Sequence, residues 1–180
     1  GWNGDGSGPR EDARWALEQV RAAYGEVPVV LLGHSMGART SAYVADDPHV
    51  AGVVALAPGW QPDDPVRALR GRHVVAAHGV ADKITSARMT RAFLVRAAGV
   101  AASTEYVDMG RVGHYMLRRV DRWNDVAADG VLRVATRLVV VRARPQLGRG
   151  DVDLSVAGPG HDGAELDRAV GKSWDVQASG

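Results

Sequence analysis

The sequence contains no cysteine, which excludes disulfides and thiolate-held metal sites. It also lacks a long apolar run. The longest, Val27 to Leu32 and Val50 to Ala57, fall far short of the ~20 residues that a bilayer-spanning helix needs, so no transmembrane segment is expected. Nor is there an excess of charge of one sign: 22 Lys and Arg against 21 Asp and Glu leave a net charge near +1. That balance gives no electrostatic case for nucleic acid or an anionic membrane surface as partner. No G-x-G-x-x-G or P-loop pattern occurs, so a nucleotide cofactor has no support. The six histidines show no chelating spacing; His73 and His78, on one strand, would point to opposite faces. The expected cofactor and metal content is therefore none. A cysteine-free chain fits a cytoplasmic location. The chain opens on Gly1 and not Met, so its native N-terminus, with any targeting signal, is expected to lie upstream.

What remains is a chain of 180 residues, 46% of them hydrophobic, enough for one domain with a real core. Residues 1–8 read as a glycine-rich loop. Pro9 suits the first turn of a helix and Glu11 and Asp12 its positive end, with Ala13, Ala16, Leu17, Val20 and Tyr24 at helical spacing and Gly25 as its stop. Val27 to Leu32 reads as a strand buried on both faces, the kind found in parallel sheets. A helix over 36–46 follows. The alternation repeats: strand 50–56, a proline-bearing loop 57–71 with room for one helical turn, strand 73–77, helix 86–98, strand 103–107, and a helix marked by Met116, Val120, Trp123 and Ala127. Such alternation predicts a three-layer αβα fold with a mostly parallel sheet. The four strands are expected to lie side by side in chain order, with right-handed crossovers placing helices on both faces. Residues 142–180 carry little apolar periodicity and are expected to form a disordered tail.

Gly33-His34-Ser35-Met36-Gly37 matches the G-x-S-x-G pattern of a nucleophile elbow. A serine on a tight strand-to-helix turn projects its hydroxyl above the sheet, and flanking glycines keep strand and helix close. The elbow predicts a positive φ at Ser35. A serine hydroxyl is a poor nucleophile without a base, so a histidine and an orienting carboxylate should follow. Asp82 lies just past the third strand and His114 just past the fourth, both at strand C-termini, where open α/β sheets place their ligands. Asp82 has a plainer reading as the cap of the helix near Ser86, and His114 one as a surface histidine near a helix start. His78 is the rival base and reads better as a buttress of the loop. Asp63, Asp64 and Asp108 are rival acids, ranked below Asp82.

The elbow GHSMGA, the segment His78-Gly79-Val80-Ala81-Asp82 and the segment Gly113-His114 come in an order that resembles the α/β-hydrolase superfamily. Residues 1–141 resemble its second half, and the opening GWNGDGS resembles the glycine-rich loop after the family's fourth strand. The resemblance implies a truncated α/β-hydrolase fold in which Ser35 is nucleophile, Asp82 orienting acid and His114 general base. The Met36 N–H would then be one oxyanion donor. The second normally comes from a loop after the family's third strand, which is expected upstream of Gly1. With that strand absent, Val27 to Leu32 becomes an apolar edge. The implied activity is cleavage of an ester, thioester or amide in a small-molecule acyl substrate, through an acyl-enzyme. The alternative is a non-catalytic binding or scaffold protein of the same fold, or an inactive fragment. Oligomeric state is not legible.

Overall fold

The computed structural model describes residues 6–143, with side chains described through residue 137. The tail expected at 142–180 lies outside the described residues except for its first two, which belong to the last helix. The elements in chain order are α1 (Ser7–Tyr24), β1 (Val29–His34), α2 (Met36–Val44), β2 (Val50–Leu56), a single 3₁₀ turn Arg67–Leu69, β3 (His73–His78), α3 (Ala87–Ala97), β4 (Ser103–Asp108) and α4 (Val120–Ala143).

The four strands form one parallel sheet in the order β1-β2-β3-β4, as the alternation predicts. Helices cover both faces, but the reason differs from the expectation. Each crossover steps the same way across the sheet, so right-handedness puts α2 and α3 on the same face. There α1, α2, α3 and the 3₁₀ turn bury Leu17, Ala38, Ala42, Phe93 and Leu69 against Val53, Ala55, Val74 and Ala76. The opposite face is closed by α4, which follows the last strand and is no crossover; its Trp123 and Val134 meet Ala77, Val54 and Val75.

Two glycines let α4 come close. A Cβ on Gly52 in β2 would lie 2.3 Å from the His73 carbonyl oxygen and 2.8 Å from a Val134 methyl, and one on Gly130 of α4 would lie 3.0 Å from Val54. Every residue of β2 is buried, so its apolar run reads correctly as a strand covered on two faces. β1 is not. It was expected over 27–32 and buried on both faces, yet it runs from 29 to 34 and is only partly buried, with Leu32 50% exposed. Pro28 has no N–H to give a ladder, so pairing starts where Val29 N–H donates to the His49 carbonyl at 2.8 Å. At the other end Gly33 and His34 still pair with Ala55 and Leu56. Among the described residues β1 has a strand neighbour on one side only.

Helix α1 also departs from its reading. It begins two residues before Pro9, at Ser7, after Gly6 in a left-handed conformation (φ 73°), and Glu11 and Asp12 fall beyond its first turn. Proline is tolerated there because first-turn N–H groups have no intrahelical acceptor to lose. Among the described residues no helix is long and apolar enough to cross a membrane.

Candidate active site

The C-terminal ends of β1, β3 and β4 deliver Ser35, Asp82 and His114 to one place. Ser35 sits between the last residue of β1 and the first of α2 with φ 52° and ψ −113°, the strained geometry expected of the elbow. Its backbone is held on both sides: its N–H donates to the Leu56 carbonyl at 2.9 Å, and its carbonyl accepts from the Gly59 N–H at 3.1 Å and the Arg39 N–H at 3.2 Å. Of the two elbow glycines, only Gly33 is forced by packing. A Cβ on Gly33 would lie 2.5 Å from the Ala38 nitrogen, whereas one on Gly37 would meet nothing among the described residues. The expectation that both glycines are sterically required is therefore corrected for Gly37, which lies in the first turn of α2.

The Ser35 Oγ lies 2.9 Å from His114 Nε2, and His114 Nδ1 lies 2.8 Å from Asp82 Oδ2. His114 is only 7% exposed. Asp82 is more deeply enclosed, with its side chain 1% exposed. Its Oδ1 accepts from the N–H groups of Ile84 (2.8 Å) and Thr85 (2.9 Å). Its Oδ2 accepts from the Thr85 hydroxyl at 2.8 Å and faces His78 Nε2 at 3.1 Å, besides His114. Burial alone would push this carboxyl up, but the Thr85 N–H, the His114 ring, the Ile84 N–H and the Thr85 hydroxyl together outweigh it and hold Asp82 at about 2. An ionised carboxylate only accepts, so it favours a proton on His114 Nδ1, which would leave Nε2 free to accept from the serine hydroxyl.

The other candidates lie elsewhere or face other partners. The cap of α3 is Ser86, whose hydroxyl accepts from the Met89 N–H at 3.3 Å, not Asp82. Asp64 is buried in a different polar knot, bonded by Arg39 (down to 2.6 Å), the Tyr43 hydroxyl (2.8 Å) and the Gln61 N–H (2.9 Å). Asp108 pairs with Arg91 at 3.1 Å and accepts from the Gly110 N–H at 2.7 Å; Asp63 is exposed. His78 approaches the same Asp82 oxygen as His114; it is fully buried, and burial lowers its pKa despite the neighbouring carboxylate. Met36 is the first residue of α2, where a backbone N–H has no carbonyl one turn back to bond.

Three participants were not singled out from the sequence. Thr85 contributes both its N–H and its hydroxyl to Asp82. Its signal is the Asp-x-x-Thr spacing, which lets a carboxylate fold back onto N–H groups two and three residues ahead. Thr90 Oγ1 meets His78 Nδ1 at 2.7 Å. The His34 ring packs 4.8 Å from the His114 ring, centroid to centroid, with its Nε2 3.0 Å from the His114 carbonyl oxygen. The loop bearing His114 is pressed onto β3, since a Cβ on Gly79 would lie 2.2 Å from the Val112 carbonyl oxygen. Beside the acid loop runs a cleft of about 560 Å³, lined in part by Gly59, Trp60, Thr85 and Arg88. Among the described residues no group of three His, Cys, Asp or Glu side chains is placed to hold a metal ion.

Comparison with known proteins bears on this arrangement. An alpha-beta serine hydrolase homologue from Coxiella burnetii is 23% identical and superposes with a TM-score of 0.62 over 73% of this chain and 62% of its own. An esterase domain from a Rhodothermus marinus protein is 20% identical, with a TM-score of 0.53 over 70% of this chain and 66% of that one. A Pyrococcus furiosus esterase is 14% identical, with a TM-score of 0.60 over 76% and 64%. The chain thus spans less than two thirds of the length of the first and third of these structures and about two thirds of the second. No curated protein matches the sequence. The model of the alpha/beta hydrolase fold family matches residues 4–95, just over half of the chain, including Ser35 and Asp82. With that match and the parallel sheet behind it, the chain belongs to the alpha/beta hydrolase fold family.

Proposed function

We propose that the protein is a serine hydrolase that cleaves an ester, thioester or amide of a small-molecule acyl substrate through an acyl-enzyme, and that residues 1–141 form its hydrolase domain. The observation that carries this reading is the unbroken chain from Ser35 Oγ to His114 Nε2 (2.9 Å) and from His114 Nδ1 to Asp82 Oδ2 (2.8 Å), anchored on a serine with φ 52°. Esterase and serine-hydrolase structural neighbours agree with it.

In this mechanism Ser35 Oγ attacks the substrate carbonyl carbon while its proton passes to His114 Nε2. The carbonyl π pair moves onto oxygen, where the Met36 N–H receives the developing charge. The tetrahedral centre collapses, the bond to the leaving group breaks, and His114 returns the proton to it. Water then repeats the cycle on the acyl-serine, with His114 again as base. Asp82 stays ionised throughout, holding the tautomer and stabilising the imidazolium. No metal or cofactor enters any step.

The test is covalent labelling of the 180-residue chain by a fluorophosphonate probe, with peptide mapping of the adduct. Labelling at Ser35 that disappears in Ser35→Ala supports the reading. A folded chain that takes up no probe, or that labels equally after Ser35→Ala, sinks it and leaves the non-catalytic binding protein as the better account.

A further inference from the structure

Two imidazoles approach the same carboxylate oxygen. Asp82 Oδ2 lies 2.8 Å from His114 Nδ1 and 3.1 Å from His78 Nε2. We propose that His78 is a positioning residue: a neutral imidazole, protonated on Nε2, that shares the Asp82 carboxylate with His114 and so limits how strongly Asp82 draws a proton onto His114. The proposal rests on the serine-hydrolase reading of Ser35, His114 and Asp82.

The argument is one of hydrogen-bond accounting. An ionised carboxylate only accepts, so a ring nitrogen facing it at 3.1 Å must carry hydrogen. That places the His78 proton on Nε2. His78 Nδ1 must then accept, and the Thr90 hydroxyl, 2.7 Å away and fully buried, is placed to donate to it. Each polar atom of the pair has a partner, and the ring stays neutral. Burial reinforces this, since a second positive charge in a fully enclosed site is costly. The groups that face His78 are few. Asp82 and Thr85 come from its own loop, the latter with Oγ1 3.2 Å from Nε2. Thr90 comes from α3. From β4 comes the Tyr106 hydroxyl, 3.4 Å from the His78 carbonyl oxygen, and from the loop after β4 comes His114. None of these but Asp82 carries negative charge, so nothing else in the set would hold His78 protonated.

The consequence is graded control of the base. Every donor that bonds Oδ2 takes part of its charge, and what His78 takes is not available to His114. Removing the His78 donor should concentrate the carboxylate on His114 and make that ring easier to protonate. A side chain that only filled space would have no such directional effect. In the sequence His78 reads as a buttress of the loop; the two-sided hydrogen bonding gives that buttress an electrostatic role.

Imidazole ¹⁵N NMR on the complete 180-residue chain tests this without relying on turnover. At neutral pH His78 should show a protonated Nε2 and a bare Nδ1. His78→Leu should move the titration midpoint of His114 upward by about half a pH unit or more, with His78→Gln, which keeps a donor, close to wild type. The acid limb of Ser35 labelling by the fluorophosphonate should move the same way. The proposal is overturned by a His78 proton on Nδ1, or by a folded His78→Leu in which the His114 midpoint does not move. The wild-type tautomer needs no variant, so the proposal can fail even if His78→Leu does not fold. If the wild-type chain takes up no probe while tautomer and midpoint behave as stated, it is the hydrolase reading that fails and the Asp82 sharing that stands.

Discussion

The middle of the sheet and its C-terminal ends are built on opposite principles. Through β2 and most of β3 every residue is apolar or small and buried. A few residues further along the same strands the molecule turns polar and strained. Of its four non-glycine residues with positive φ among those described, Ser35 follows β1, Ala57 follows β2, and Met116 and Arg119 sit in the loop bearing His114. Residues held in such sparsely populated conformations persist only where their surroundings over-determine them, and here the ends of the neighbouring strands do that. Ser35 is pinned by Leu56, and Ala57 by the Ala77 carbonyl at 2.8 Å. The difference teaches that the buried core and the candidate site occupy neighbouring stretches of one sheet, so mutations at the two places should separate cleanly.

The sharpest way to break that separation is at the serine. Ser35→Ala should lower probe labelling and any esterase rate by at least about 10³-fold, with the thermal midpoint unchanged or raised. His114→Ala should match it, and the double variant should be no worse than either, because each change disables the same step. A fall in thermal midpoint comparable to that of a core substitution would show that site and core are not separable. The converse experiment is in the strand middle. Gly52→Val pushes a side chain into the His73 carbonyl and Val134, so it should cost about 3 kcal/mol or more in urea unfolding, far from any reacting atom. A well-tolerated Gly52→Val would mean that α4 is not held as closely as these distances indicate.

Acid sets a third and smaller test, at the polar end. The folded carboxyl of Asp82 sits at about 2, below the ordinary 3.8. Its contribution is therefore complete above pH 3.8 and lost as pH falls toward 2, about 2 kcal/mol in all. His78 is shifted the other way for its charge type: burial lowers its pKa below 6.5. The unfolded chain then binds the proton first, and stability begins to fall as pH drops through 6.5. Urea midpoints of wild type against Asp82→Asn should diverge above pH 4 and converge below pH 2; parallel curves would contradict the Asp82 assignment. The smallest effect belongs to the edge. Leu32 is half exposed on β1, so Leu32→Lys should change stability by less than about 0.5 kcal/mol. A larger loss would mean that this side chain is covered in solution by something outside the described residues.

The same division explains what the sequence made legible. Segments whose neighbours are fixed by chain-local alternation were readable: β2 falls on its expected bounds and α3 within a residue of its own, and the loop 57–71 holds one helical turn, Arg67–Leu69. β1 was not, because a run of valines and leucines looks alike whether one or two strands flank it, and only pairing shows that Gly33 and His34 continue the ladder. Helices do lie on both faces, but handedness alone does not place them there, since the direction of stepping across the sheet decides the face as well. At the site, Ser35, Asp82 and His114 could be listed together because a strand-to-helix turn and two strand ends announce themselves; their roles rest on the labelling experiment. His34 and Thr90 could not, because a histidine or a threonine looks the same whether it faces water or a buried imidazole; Thr85 had only the Asp-x-x-Thr spacing to mark it.

The φ of 52° at Ser35 has a consequence for selection. Glycine adopts that conformation without penalty, whereas a serine there costs of order 1 kcal/mol. A library of this protein sorted only for resistance to heat or proteolysis should therefore enrich Ser35→Gly, and each such winner would lose the hydroxyl. Only a sort that also demands reaction with an acyl or phosphonyl probe would keep serine at 35. If Ser35 is the nucleophile proposed, a gain in ruggedness at this position marks lost chemistry, and the ratio of glycine to serine recovered under the two regimes would measure how far fold and reaction pull against each other.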